Sequence, residues 1–173
     1  MQAAQEWVDA ISAKLEKAGP EGAQAIEYIR KRRIKIGFKK QSASTAAMWD
    51  IDGNIYLNPK YYNDKDTSDP YMISLVAHEA WHLRQGPIVA LSVYGELEAW
   101  QLGFRIYQNL TNRMMHPAIL QLMDMKLCYD RAMLRRAAEL MQEYSGKGYR
   151  IDLLPLYPLH KEIAWFFTRK EPA

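Results

Sequence analysis

The stretch Val76-Ala77-His78-Glu79-Ala80-Trp81-His82-Leu83 decides how the rest of the chain is interpreted. On a helix, residues four positions apart project from the same face, so His78 and His82 are predicted to lie one turn apart on one side. Two imidazoles so placed suit one zinc ion, and Glu79 beside them is positioned as a general base and not as a ligand. The alternative is two core histidines and an unrelated glutamate.

The helix that carries this motif is predicted to run from Pro70 to Gln85. Asp69 is a suitable N-cap, and a proline at the first helical position is pre-organised for a helix start. The segment is apolar nearly all round, which predicts that the helix is buried. Burying two imidazoles side by side without a partner costs several kcal/mol, and a bound metal ion removes that cost. The context therefore favours a zinc site over core histidines.

A third ligand is expected from the next predicted helix, which spans 89–110 and contains Glu96 and Glu98. Residues two apart on a helix differ by about 200°, so only one of these acids can face inward. Glu96 lies on the flank of the apolar face, whereas Glu98 falls with Gln101, Arg105 and Gln108 on the opposite side, which is expected to be solvated. We therefore predict Glu96 as the third zinc ligand. The alternative for Glu96 is an inward salt bridge to an arginine.

Hydrophobic periodicity predicts a mostly helical chain with one small sheet. The further predicted elements are helices over 2–18 and 21–33, a strand over 34–38, a hairpin over 46–57 with its turn at 50–53, one long helix over 117–144 and a closing helix over 159–168. The expected fold class is α+β, with a small antiparallel sheet or hairpin packed on the buried active-site helix.

Asp130 interrupts the apolar stripe of the predicted long helix. An acid at that position could orient a zinc-bound histidine from behind. More often, an acid at such a position pairs with an arginine, such as Arg131 or Arg135 of a neighbouring element. The sequence leaves both roles open.

Composition sets the class of protein. At 173 residues the chain is long enough for one domain with a substantial core. The single cysteine excludes an internal disulfide and fits a reducing compartment. The N-terminus lacks the pattern of a secretory signal, and no stretch is long enough to span a bilayer. We expect a soluble, cytoplasmic protein without a membrane partner.

The basic cluster Arg30-Lys31-Arg32-Arg33 has two interpretations. It suits the negative end of the helix predicted over 21–33. It could also be a nucleic-acid patch, but the net charge is only +3 and no aromatic residues are interleaved. Nucleic acid is therefore not an expected partner.

His78-Glu79-Ala80-Trp81-His82 followed by Glu96-Leu97-Glu98-Ala99 resembles the HExxH and E-x-x-A motifs of gluzincin metallopeptidases, in particular the ImmA/IrrE-like and Ste24/HtpX-like peptidase domains. The resemblance covers about residues 34–110. It implies a zincin-like fold and assigns the third ligand to Glu96, the residue that the helix geometry selects. Trp100 stands where an acid often follows the second motif. The segment 54–59 resembles the edge strand that pairs with extended peptide substrate in these families.

The expected protein is a zinc-dependent peptidase of narrow or regulatory specificity, with a peptide or protein substrate. Zn²⁺ is held by His78, His82 and Glu96, and Glu79 is the general base. The whole chain, 1–173, is expected to be one zincin-like metallopeptidase domain, with N-terminal helices over 1–33, the sheet and metal site over 34–110 and C-terminal helices over 111–173.

Two other functions stay open: a non-catalytic zincin-fold binding module, and a DNA-associated regulator that uses the basic cluster. A hydrogen-bond donor for the oxyanion is also expected. The sequence does not choose among its candidates, which are Tyr56, Tyr149, Tyr157, His116 and His160.

Overall fold

The computed structural model describes residues 3–172 and is mostly helical (59%) with one three-stranded sheet. The fold class is therefore α+β, as predicted. In chain order the elements are α1 (Gln5–Lys17), α2 (Pro20–Arg32), β1 (Ile36–Phe38), β2 (Ala47–Trp49), β3 (Ile55–Leu57), α3 (Pro70–Gln85), α4 (Pro87–Ala90), α5 (Val93–Thr111), α6 (Pro117–Asp124), α7 (Arg131–Ser145), a 3₁₀ turn (Ile151–Leu153) and α8 (Leu159–Thr168). Within the described residues, none of these helices has the length and apolar character needed to cross a bilayer.

The chain divides into two compact units. The first comprises the residues up to Arg84 together with Leu102–Arg113, and the second comprises Gln85–Gln101 together with the residues from Met114 onward. The first unit is built around one hydrophobic core to which α1, α2, the sheet, α3 and the second half of α5 contribute. The predicted single domain over 1–173 stays a prediction.

The sheet of the first unit is mixed, whereas an antiparallel sheet was expected. Strand β3 lies in the middle, antiparallel to β2 and parallel to β1. The predicted hairpin is confirmed: the Gly53 N–H donates to the Asp50 carbonyl (2.9 Å), and Gly53 has the positive φ (76°) that such a turn requires. The segment 54–59, which resembles an edge strand, supplies the central strand, and β2 is an edge.

The prediction of one long helix over 117–144 is wrong. It is two helices, α6 and α7, and the Asp130 side chain accepts a hydrogen bond from the Met133 N–H (2.7 Å) as the N-cap of α7. The seven-residue spacing of apolar residues continues across the break, which is why the pattern concealed it. Asp130 therefore has a local role that neither sequence interpretation included.

Candidate metal centre

Helix α3 begins and ends where the sequence predicts. Asp69 Oδ1 accepts hydrogen bonds from the N–H groups of Tyr71 (2.8 Å) and Met72 (3.3 Å), which fixes the helix start behind Pro70. The helix contributes buried side chains to the core of the first unit along most of its length. Its motif is therefore presented from a rigid element.

The two motif histidines face each other. The Nε2 atoms of His78 and His82 are 3.0 Å apart, and the ring centroids are 4.6 Å apart. His82 is buried (2% exposed) and His78 is half-buried. Gly103 of α5 lies against this pair, since a Cβ at Gly103 would be 3.6 Å from the His78 Cβ. The absence of a side chain at that position leaves α5 close to His78.

Glu79 is buried, with 6% of its surface exposed. Its Oε2 accepts a hydrogen bond from the backbone N–H of Trp49 in the edge strand β2 (2.9 Å). A charge-assisted hydrogen bond of this kind is stronger than one between neutral groups and holds the carboxylate in one orientation. The sequence predicted the role of Glu79 but not this partner, because the two residues are 30 positions apart.

A tight turn between α4 and α5 positions Glu96, where one continuous helix over 89–110 was expected. The buried Ser92 hydroxyl donates to the Val89 carbonyl (2.7 Å) and accepts from the Gly95 N–H (3.0 Å). Any Cβ at Gly95 would lie 2.1 Å from the Val89 carbonyl oxygen, a clash with backbone. Gly95 thus permits the turn, and Glu96 follows it in the first turn of α5.

Glu96 and its hydrogen-bond partner Tyr149 both belong to the second unit. The Tyr149 hydroxyl donates to Glu96 Oε2 (2.7 Å), and the Trp100 Nε1–H donates to the Tyr149 oxygen (3.1 Å). Trp100 is itself buried (7% exposed) and its ring also contacts the Tyr149 ring. Trp100, which stands where an acid often follows the E-x-x-A motif, here supports a tyrosine that holds the predicted ligand.

Glu98 is engaged elsewhere, since the Gln85 Nε2–H donates to its Oε2 (2.8 Å). The polar side of α5, on which Glu98 lies, is less exposed to solvent than expected. Gln101 on that side is buried, and its amide donates to the carbonyls of Leu122 and Met125 at the end of α6 (2.8 Å each). The expectation of a solvated Gln101 was wrong because the free carbonyls at the C-terminus of α6 require donors.

The predicted ligand set is brought together. One ligand atom from each of His78, His82 and Glu96 lies within 4.8 Å of the others. Zinc–nitrogen bonds of about 2.0–2.1 Å in a tetrahedral site hold two nitrogens about 3.4 Å apart, close to the 3.0 Å between the two Nε2 atoms. Two imidazoles and one carboxylate are also a donor set found at catalytic zinc sites. The donor types and the histidine spacing therefore fit a zinc ion. The 4.8 Å spread is wider than the roughly 3.4 Å between ligand atoms of a tetrahedral site, so the set has to contract when zinc binds.

The other candidates for an oxyanion donor are occupied differently. The Tyr56 hydroxyl donates to Asp52 (2.6 Å), and His116 Nδ1 accepts from the Ala118 N–H (3.2 Å) as the N-cap of α6. Tyr157 is fully buried, and burial raises the pKa of its hydroxyl. His160 is exposed on α8. Tyr149 is the candidate that hydrogen-bonds a predicted zinc ligand.

The basic cluster at the end of α2 has local partners. Arg30 pairs with Glu16, and the Arg32 guanidinium lies 5.9 Å from the centroid of the Tyr28 ring. Arg33 ends the helix in the left-handed conformation (φ 53°). Cations at this position interact favourably with the helix dipole, and the choice between the two sequence interpretations stays a prediction.

Comparison of this chain with protein-family models, with curated proteins and with solved structures finds no match.

Proposed function

We propose that this chain is a zinc-dependent metallopeptidase with a zincin-like fold. The observation that carries the proposal is the cluster of His78, His82 and Glu96, whose ligand atoms lie within 4.8 Å of one another. A purely structural zinc site has no use for a general base, yet Glu79 is buried one residue after the first histidine. The combination supports catalysis over metal storage or scaffolding.

In this proposal His78, His82 and Glu96 hold the ion. A bound zinc ion supplies Lewis-acid chemistry, which makes water a nucleophile at neutral pH and polarises the scissile carbonyl. Three protein ligands leave one coordination position for chemistry, as catalytic zinc sites require. The protein's contribution is to present two of these ligands from α3 and the third from α5.

Glu79 moves the proton. Its carboxylate takes a proton from the attacking water and delivers it to the leaving amine. The hydrogen bond from the Trp49 N–H engages Oε2 of this carboxylate. The same bond ties Glu79 to strand β2, and it keeps the base from rotating between turnovers.

Tyr149 and Trp100 orient the third ligand. The Tyr149 hydrogen bond to Oε2 fixes the Glu96 carboxylate, and Trp100 fixes the tyrosine. Hydrogen-bonded partners of this kind set ligand orientation and basicity. Tyr149 is in this account a positioning residue.

The substrate class that fits is an extended peptide. Strand β2 is an edge strand and contacts Glu79 through Trp49. An extended chain that adds to a sheet edge gains main-chain hydrogen bonds. A peptide added to β2 would therefore lie beside the general base.

The test combines metal analysis with a proteolysis assay. The purified chain is analysed for bound metal and incubated with a library of unstructured peptides, whose products are identified by mass spectrometry. The proposal expects one zinc per chain and cleavage that a zinc chelator abolishes and added zinc restores. Bound zinc with no cleavage of any peptide would instead support the non-catalytic binding module.

A further inference from the structure

Helix α8 presents its apolar side to solvent. Leu159, Ile163, Phe166 and Phe167 are 55%, 51%, 60% and 79% exposed. At about 100° per residue, these four side chains fall within an arc of about 100° and form one continuous stripe. We refer to these four residues as the α8 stripe.

The opposite side of α8 packs through charged and aromatic groups. Arg131, the first residue of α7, bonds Glu162 (2.7 Å) and lies 3.6 Å from the centroid of the Trp165 ring. The Lys161 ammonium lies 4.1 Å from the centroid of the Tyr129 ring. An amphipathic helix ordinarily buries its apolar face, whereas α8 turns its polar face inward. The α8 stripe is therefore an exposed apolar surface that is suited to binding a partner.

The charges beside the α8 stripe are positive. The Arg169 guanidinium lies 4.9 Å from the centroid of the Phe166 ring, and Lys170 follows it, exposed. The nearby acids are turned toward α7: Glu162 pairs with the Arg131 guanidinium, and Glu171 accepts from the Arg131 N–H (3.2 Å). The stripe thus combines large apolar side chains with a cationic border.

We propose that the α8 stripe docks on the surface of an anionic phospholipid bilayer. Phenylalanine and aliphatic side chains flanked by lysine and arginine are the composition of helices that lie in the membrane interface. Each basic residue near an anionic leaflet adds to the attraction. A second copy of the stripe offers Arg169 and Lys170 no free acid, because the nearby acids are turned toward α7, whereas an anionic leaflet does.

This mode of binding needs no membrane-spanning helix, and none occurs among the described residues. It departs from the sequence-based expectation that no membrane is a partner. That expectation followed from spanning length alone. A helix that lies in the interface plane is distinguished by its amphipathicity and not by its length.

The test is sedimentation of the full chain with lipid vesicles. We expect binding to phosphatidylcholine vesicles that contain phosphatidylglycerol, and about 10-fold weaker binding to phosphatidylcholine alone. Raising the salt concentration should weaken the binding to anionic vesicles. The double variant Phe166→Ser/Phe167→Ser should bind anionic vesicles about 10-fold more weakly than the unmodified chain.

Ile51→Ser is the matched control, because Ile51 is 98% exposed in the hairpin turn between β2 and β3 and should leave vesicle binding unchanged. Reversing the charge of the border with Arg169→Glu/Lys170→Glu should abolish the preference for phosphatidylglycerol. Absence of binding to anionic vesicles would overturn the proposal, as would an equal loss in the Ile51→Ser control. A dimer that the double phenylalanine variant dissociates, without vesicle binding, would assign the stripe to a second copy and overturn it too.

Discussion

The Tyr149 hydroxyl donates a hydrogen bond to Oε2 of Glu96 over 2.7 Å, although 53 positions separate the two residues in the chain. This bond links the predicted third zinc ligand to a loop after α7. Trp100, four residues after Glu96, completes the arrangement by donating to the same tyrosine oxygen. The carboxylate is thus held before any metal binds.

Removing this hydrogen bond should weaken zinc binding. Tyr149→Phe keeps the ring but removes the hydrogen bond from its hydroxyl to Glu96. The loss of such a partner typically costs about 10–100-fold in metal affinity or activity. Trp100→Phe should have a smaller effect, since Tyr149 itself remains. Competition with a chromogenic chelator measures the affinity. The control is Tyr56→Phe, whose hydroxyl bonds Asp52. Wild-type affinity in Tyr149→Phe would contradict the positioning role.

The choice between the two glutamates of α5 can be tested with a matched pair of variants. Glu96→Gln should lower the zinc content of the purified protein markedly, because a neutral amide is a poor substitute for a carboxylate ligand. Glu98→Gln should keep full zinc content, since Glu98 bonds Gln85. Metal analysis after dialysis gives the answer. Loss of zinc in Glu98→Gln with retention in Glu96→Gln would reverse the assignment.

Asp130 should contribute to stability and not to the metal site. Asp130→Ala removes the N-cap of α7 and should cost about 1 kcal/mol, which corresponds to roughly 2–4 °C in Tm for a chain of this size. Calorimetry measures the shift, with the exposed Asp124→Ala as the control. Zinc affinity should not change in either variant. A zinc defect with unchanged Tm would restore the interpretation in which Asp130 orients a ligand histidine.

Local signals predicted the elements whose ends are marked by specific residues. Asp69-Pro70 marks the start of α3, and the Asp-Gly turn at 52–53 marks the hairpin. The break after α6 was missed because Asp130 reads equally as an interruption of an apolar stripe and as an N-cap. The parallel pairing of β1 with β3 was missed because strand pairing depends on neighbours that are distant in sequence.

For the candidate site, too, local residues could be predicted from the sequence and distant partners could not. His78, Glu79 and His82 share one helical turn, so their spacing alone predicts which residues lie together. Glu96 was selected by the face it occupies on a helix. The hydrogen-bond partners of these residues come from distant segments of the chain: Trp49 binds Glu79, and Tyr149 binds Glu96. No periodicity in the sequence indicates these partners.

The Tyr94 hydroxyl should lose its proton at a higher pH than an ordinary tyrosine. Burial, followed by the neighbouring Tyr129 and Glu98, raises its pKa to about 12. The unfolded chain has a tyrosine pKa of about 10, so the neutral hydroxyl favours the folded state. That contribution is complete below about pH 10 and is lost as the pH rises toward about 12. Denaturation at about pH 9 and pH 11 should show a smaller loss of stability in Tyr94→Phe than in the unmodified chain. An equal loss in both would contradict the raised pKa.

Glu79→Gln tests the central claim most directly. The amide has nearly the same shape, and its oxygen can take the place of Glu79 Oε2 and accept from the Trp49 N–H, so the fold and the zinc ligands should persist. Zinc content and peptide hydrolysis are measured on the same preparation. We predict unchanged zinc with hydrolysis reduced to background, because the variant cannot take a proton from water. Hydrolysis at the wild-type rate in a zinc-loaded Glu79→Gln protein would contradict the proposed mechanism.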